Sequence, residues 1–395
     1  MTALPRPALA PLETGGPAPL VLPLREATER LGAAWDRLAD EAAEPNVFTD
    51  RAMLRAAAGR VEPDDWSVIA LPAIGPEVGP ASGGARPLDA LAVVRRARVL
   101  PGVGPVVTDL FASRYGPLGT PLAQPGFDAG RLIDALAVIG PVARLPYQRL
   151  DGPFAASLAR AAEGREIHLA TVDAHHRAAL RLADGPDLYG PGLQGKRLKE
   201  LGRLMRRLDG AGGVRHEVAT TPVEVANAFS LFLALEHASW KGRGGTSLAV
   251  APGGTAFAAD LVAELARTGR VRVDLLAVAG RPVAALISFF AGVSGFIWKI
   301  AHDESHAAAS PGVQLIRLVS EDWRAAGRLA DVDSLATPGH PMIDRLWAGR
   351  FAMGTIILAT RPGANGLAAR AADLHARRRS LAAAARAALG RLRGG

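Results

Sequence analysis

The chain of 395 residues contains no cysteine. This excludes a disulfide framework, Cys-ligated zinc, iron–sulfur clusters and a thiol nucleophile, and leaves nothing to report on redox compartment. Aromatic residues make up only 5% of the chain, and three of them are tyrosines, Tyr115, Tyr147 and Tyr189. No stretch approaches the roughly 18–20 uninterrupted apolar residues that a membrane-spanning helix needs. The opening MTALPRPALAPLETGGPAPL has prolines where a signal peptide needs a helical apolar core. Residues 1–19 therefore read as a disordered lead-in, and the protein as soluble and cytoplasmic.

What is present is apolar mass and unevenly placed positive charge. With 49% hydrophobic residues, a chain of this length is expected to form two cores. The formal charge is +8, and two short stretches hold all of it. Residues 196–215 carry seven Lys or Arg against Glu200 and Asp209, and the tail from Leu367 carries seven arginines against Asp373. The rest of the chain is slightly acidic, which argues against a protein wrapped in nucleic acid along its length.

From residue 214 the elements follow in order. Val214–Val218 alternates as a strand. Thr221-Pro222 opens a helix with Thr221 as N-cap, and Val225, Phe229, Phe232, Leu233 and Glu236 follow at helical spacing. A second helix carries Phe257, Leu261, Val262 and Leu265. Three strands, 271–278, 282–291 and 296–301, form a meander across two glycine turns. A helix from about 313 to 326, a strand at 329–335, a short helix at 341–347 and a final strand at 355–359 complete the order β-α-α-β-β-β-α-β-α-β. The expected class is α/β (α+β), with a mixed, mostly antiparallel sheet flanked by helices. The first half repeats this order weakly. The domain reading is 1–19 lead-in, 20–190 first domain, 196–362 second domain and 363–395 an Ala/Arg-rich tail. Gly75–Arg86 reads as an exposed loop and Ala183–Gly195 as the connection between halves.

Two segments carry chemistry on physical grounds. Ser310-Pro311-Gly312 begins a helix after the third meander strand. Its unpaired N–H groups and the positive end of the helix dipole suit phosphate oxygens, although an N-cap followed by proline explains Ser-Pro by itself. In Lys196–Leu208 the residues Leu198, Leu201, Met205 and Leu208 share one helical face, and Lys196, Lys199, Arg203, Arg206 and Arg207 lie largely on the other. That is either a solvated face with packed aliphatic stems or an anion-facing helix.

The element order from 214 to 360, Trp240-Lys241-Gly242-Arg243, Trp298 through Glu304, and Ser310-Pro311-Gly312 together resemble the GNAT acyltransferase superfamily. Within it they resemble the cellulose-biosynthesis CelD-type branch, which is related to the Fem-type transferases with their tandem GNAT-like halves and a comparable basic segment. The resemblance implies tandem GNAT-like domains and a direct N- or O-acyl transfer from acyl-CoA, acetyl-CoA above all, with no metal. The implied acceptor is a polysaccharide or other cell-envelope precursor. Ser310, Gly312, Val313 and Trp298 would hold the cofactor. Trp240, Lys241 and Lys299 would border the acceptor groove, with Trp240-Lys241 alternatively a packing anchor. Asp303, Glu304 and Asp333 are the candidates to receive a proton, beside His302. Many GNAT enzymes protonate the leaving thiolate from a tyrosine, and all three tyrosines here are expected outside the second half. Two alternatives stay open: a Fem-like transferase using aminoacyl-tRNA, and a GNAT-like module that binds without turnover. The tail is either a frayed, solvated terminus or a peripheral membrane or partner helix.

Overall fold

The computed structural model describes residues 17–74, 86–100, 103–185, 188–190, 195–210 and 212–393. Most of the lead-in, all but the last residue of the Gly75–Arg86 loop and part of the connection between halves lie outside the described residues.

In chain order the elements are β1 Leu20–Pro23, α1 Leu24–Arg30, α2 Gly32–Glu41, α3 Arg51–Ala57, β2 Ser67–Pro72, β3 Leu88–Leu100, β4 Val103–Leu110, β5 Leu122–Ala123, α4 Gly130–Ile139, β6 Val142–Arg149, α5 Pro153–Gly164 and β7 Leu169–Arg181. They continue with α6 Lys196–Asp209, β8 Val214–Ala219, α7 Pro222–Ala238, α8 Trp240–Arg243, α9 Gly254–Arg267, β9 Val271–Val278, β10 Arg281–Ala291, β11 Ser294–His302, α10 Pro311–Ala326, β12 Asp331–Asp333, β13 Gly349–Ala359 and α11 Asn365–Arg393. The class is the expected one: α/β, with mixed and mostly antiparallel sheet flanked by helices.

The chain forms two compact units, and neither is a continuous stretch. The first comprises Met1–Arg51, Asp65–His175 and Ala352–Gly395; the second comprises Ala52–Asp64 and His176–Phe351. The final strand, expected to close the second domain, thus runs into the first unit. There Met353–Ala359 pairs antiparallel with Val142–Arg149 of β6. Its run Thr355–Ala359 is buried throughout, as a strand covered on both faces requires.

In the first unit β1, β2, β3 and β4 form an antiparallel series, and β4 pairs in parallel with β6 over Thr108–Asp109. The chain after β4 turns back into the space beyond that parallel pair. Phe111, Leu118 and Thr120 are buried there, and the Gly119 N–H donates to Tyr147 O at 3.1 Å. The tail helix α11 is not a frayed terminus over its first turns. Ala368, Ala371 and Ala372 enter the unit's core, and His375 Nε2 lies 2.7 Å from an Asp173 carboxylate oxygen.

In the second unit β8, β9, β10 and β11 form the antiparallel meander, and β12 joins it parallel to β11 and antiparallel to β7. Thr221 and Glu224 form the capping box that starts α7. Leu315, Ile316, Val319 and Trp323 of α10 pack under the sheet on one side, while α7 and α9 supply Val225, Phe229, Phe232, Phe257 and Leu261 to a buried layer. The helix expected at 341–347 is a series of turns, and the strand expected at 329–335 contracts to Asp331–Asp333.

Candidate active site

β11 and β12 are paired only at their beginnings, Ser294 with Asp331, Gly295 with Val332 and Phe296 with Asp333. β12 ends there, whereas β11 continues to His302. The strands therefore part, and one edge of β11 beyond Phe296 is left without a strand partner in β12. Along the other edge the register with β10 slips: Ile287 faces Lys299 and Ser288 faces Ile297, so Trp298 is the extra residue of a β-bulge. A bulge re-aims side chains and interrupts pairing, and such features gather beside functional sites.

The bulge changes where Trp298 and Lys299 go. Simple alternation would send one to each face, yet both lie on the α7 and α9 side. The Trp298 ring stacks on Phe289 at 4.7 Å and meets Phe257 of α9 edge-on at 6.2 Å; it is a core residue, 7% exposed. Lys299 Nζ lies 5.7 Å from the Trp298 ring centroid and 3.6 Å from Glu236 Oε1.

Glu236 is the charged residue that the periodicity of α7 places on its apolar stripe, and the structure buries it completely. Burying a carboxylate is costly without compensation, and three groups supply it. Leu248 N–H donates to Oε2 at 2.8 Å, and the ammonium groups of Lys241 and Lys299 each stand 3.6 Å from Oε1. Lys241 is brought back to Glu236 by a tight turn. Ser239 caps the end of α7, and its hydroxyl donates to Glu236 O at 2.8 Å and accepts the Lys241 N–H at 3.2 Å. Gly242 completes the turn, because any Cβ there would run into His237 O. Lys241 Nζ then donates to Ile300 O on β11 at 2.8 Å. Burial pushes the Lys241 ammonium below the usual lysine range; Glu236 opposes that shift and Lys299 adds to it.

His340 belongs to the same neighbourhood. Burial lowers it below its usual value, Asp344 pulls the other way, and the charge of Lys241 lowers it further. Its Nδ1 is buried without a hydrogen-bond partner. Neither His340 nor Glu236 was singled out as a site residue in the sequence. The available signal for Glu236 was a carboxylate at the fourth position after Phe232 on an apolar stripe.

The three carboxylates named from sequence are occupied otherwise. Glu304 accepts the Trp240 N–H at 2.7 Å and pairs with Arg243 at 2.6 Å, and Arg243 chiefly lowers its carboxyl below the usual range. Burial acts to raise Asp303, but the Ser305 hydroxyl and N–H, with His306, carry it lower. Asp333 is buried in an ion pair with Arg177 at 3.1 Å and accepts the Leu335 N–H at 2.7 Å. Glu304 and Asp333 thus fix a helix start and a strand end.

Ser310 adopts a left-handed conformation, φ 54°, and makes no side-chain cap bond to α10, so its hydroxyl is not committed to the helix. Gly312 and Val313 present first-turn N–H groups that no preceding turn can pair. Gly312 is buried, and a Cβ there would touch Met342 Cε at 3.4 Å and Ile300 Cδ1 at 3.5 Å. Trp240 is 56% exposed. Tyr189, expected outside the second half, falls within the second unit, but its hydroxyl donates to Glu321 at 2.6 Å. Burial and Glu321 raise its pKa further, so it holds its proton firmly. Of the residues named from sequence, Lys241 and Lys299 join Glu236 directly, and Ser310, Gly312 and Val313 form the helix start beside Ile300.

The basic helix α6 turns Leu201 and Leu208 inward, while Leu198 of the same face stays exposed. It is tied to α10 by Gln314 Nε2, which donates to Leu201 O at 2.7 Å. Lys196, Lys199, Arg203, Arg206 and Arg207 are exposed. Among the described residues no helix is long and apolar enough to cross a membrane, and no cluster of His, Asp and Glu could hold a metal ion.

Comparison with known proteins bears on this unit. Among solved structures, the chain is similar to a DUF2156 domain from Agrobacterium fabrum, the C-terminal domain of a protein assigned as a lysylphosphatidylglycerol synthetase. Identity is 13%, coverage 89% of this chain and 97% of that one, and TM-score 0.51. It is also similar to a conserved protein of unknown function from Bacteroides thetaiotaomicron, at 12% identity over 83% and 97% of the chains and TM-score 0.49. FemX matches at 9% identity over 86% and 96%, with TM-score 0.49. No curated protein matches the chain. Residues 195–340, which lie within the longer segment of the second unit, match the family described as "Acetyltransferase (GNAT) domain".

Proposed function

We propose that the second unit transfers an acyl group directly from acyl-CoA, acetyl-CoA in the first instance, to an amine or hydroxyl of a polysaccharide or cell-envelope precursor. The observation that carries this reading is the buried Glu236, flanked by Lys241 and Lys299, beside the strand edge that β11 exposes where it leaves β12. That edge offers backbone N–H groups to a thioester carbonyl oxygen, the preorganised donors that acyl transfer needs. Glu236 takes the proton of the attacking acceptor. Gly312 and Val313 N–H groups and the Ser310 hydroxyl receive the pyrophosphate. Trp240, exposed at the start of α8, and Lys299 border the acceptor. The test is release of free thiol from acetyl-CoA with cell-extract acceptors. Loss of release in Glu236→Gln supports the reading, and no stabilisation of the protein by any acyl-CoA overturns the donor.

A second reading, an aminoacyl-tRNA donor, is favoured by the exposed cations of α6 tied to the start of α10. The fold similarity to a domain assigned to a lysylphosphatidylglycerol synthetase favours it too. tRNA retained on a filter, with affinity falling steeply as salt rises, would select this reading; no retention at low salt would remove it.

A further inference from the structure

Lys241 is placed for more than binding. Its Nζ donates to Ile300 O, on the part of β11 that β12 leaves uncovered, so it stands at the edge where the proposed reaction would hold an acyl carbonyl. Its side chain is 23% exposed and within reach of a small molecule. Glu236 Oε1, 3.6 Å away, is a built-in proton acceptor. The groups facing it are Glu236 and Lys299, with His340 near enough to feel its charge. Lysines that are buried and set beside a second cation are those that become nucleophiles near neutral pH.

We propose that Lys241 is a self-acylation site: its amine takes the acyl group of a thioester held at β11, and the resulting amide switches the site off. The proposal rests on the acyl-transfer reading of this unit. In the step, the ammonium gives one proton to Glu236 and on to solvent. Nζ then attacks the thioester carbonyl, the N–C bond forms and the C–S bond breaks. The second proton leaves with the thiolate as free thiol. The amide cannot carry charge, so acylated Lys241 leaves Glu236 with Lys299 as its only close lysine.

The test uses the full-length protein and two probes, acetyl-CoA and the small thioester S-acetyl-N-acetylcysteamine, which needs no CoA site. Peptide mass spectrometry follows acetylation at Lys241 against Lys196 and Lys199, which are solvent-exposed. The expected result is labelling of Lys241 at least about tenfold faster than either, a small part of what holding a thioester beside an amine can gain over a chance encounter. The preference should vanish in urea-unfolded protein and weaken in Glu236→Gln. Labelling at Lys241 no faster than at Lys196 with either probe overturns the proposal. Labelling by the small thioester but not by acetyl-CoA supports it while rejecting the donor. Turnover with acetyl-CoA and an unlabelled Lys241 rejects it and leaves the acyl-transfer reading standing.

Discussion

Lys299 Nζ lies 3.6 Å from Glu236 Oε1, the same oxygen that Lys241 Nζ approaches at the same distance. One buried carboxylate oxygen is thus shared between a lysine from a strand bulge and a lysine from a helix turn, which couples the start of α8 to the exposed part of β11. In Glu236→Gln the amide oxygen can still accept the Leu248 N–H, but the charge is gone. Thiol release should fall by about 10²–10⁴. The stability cost should be about 1–3 kcal/mol, below the full penalty for breaking a buried pair because both lysine side chains are partly exposed, at 23% and 17%. Acyl-transfer kinetics and urea unfolding of the same preparation check both numbers, and unchanged turnover would remove Glu236 from the chemistry.

Asp333 and Glu304 should behave as structural groups. Asp333→Ala takes its carboxylate partner from the buried Arg177 guanidinium and the acceptor from the Leu335 N–H; about 3–5 kcal/mol of stability should be lost, read from the urea midpoint. Glu304→Gln keeps an acceptor for the Trp240 N–H and loses only the exposed pair with Arg243. Its kcat should stay within a few-fold of the parent. A hundred-fold loss of kcat in Glu304→Gln with an unchanged unfolding midpoint would restore it as a catalytic candidate.

Local signals are legible where the partner lies close in the chain: the Thr221 N-cap, the glycine turns of the meander, and the α10 start at Pro311. What escaped was set by distant residues. Thr355 to Ala359 reads as a strand, but only its pairing with β6, some two hundred residues earlier, places it in the first unit. The bulge at Trp298 follows from register against β10, which alternation in a single strand cannot reveal. Glu304 and Asp333 looked available because partners such as Trp240, Arg243 and Arg177 are invisible until the fold joins them, whereas Asp303 is held by its near neighbours Ser305 and His306. Glu236 was hidden in the opposite way, as a polar position on an apolar stripe whose lysine partners come from two other elements.

The two site glycines should respond differently to a methyl group. At Gly242 a Cβ would collide with the His237 carbonyl, backbone that cannot turn aside. Gly242→Ala should therefore open the turn that carries Lys241, lowering the thermal midpoint and disrupting the Lys241–Glu236 contact together. At Gly312 a Cβ meets only the flexible end of Met342 and Ile300 Cδ1, at ordinary contact distances. Gly312→Ala should fold with a thermal midpoint close to the parent's, and Gly312→Leu should lose about 1–3 kcal/mol through overpacking. Equal midpoints for Gly242→Ala and Gly312→Ala would contradict this account of the turn.

Acid should destabilise the second unit in two separable stages. Burial, aided by the charge of Lys241, lowers His340 from its usual value of 6.5. A folded-state value below the unfolded one means that the unfolded chain binds the proton more readily, so the stabilisation is fully present above pH 6.5 and is lost as pH falls through the lowered value. Arg243 and the Trp240 N–H lower Glu304 from 4.5, and its contribution is likewise present above 4.5 and lost as pH falls further. Thermal midpoints measured from pH 8 to pH 3 should therefore decline first below about 6.5 and again below about 4.5. His340→Gln, which cannot take up a proton in this range, should flatten the first decline and leave the second; Glu304→Gln should weaken the second and leave the first. If His340→Gln tracks the parent between pH 6.5 and 5, the half-buried imidazole is not the group whose protonation opens the unit.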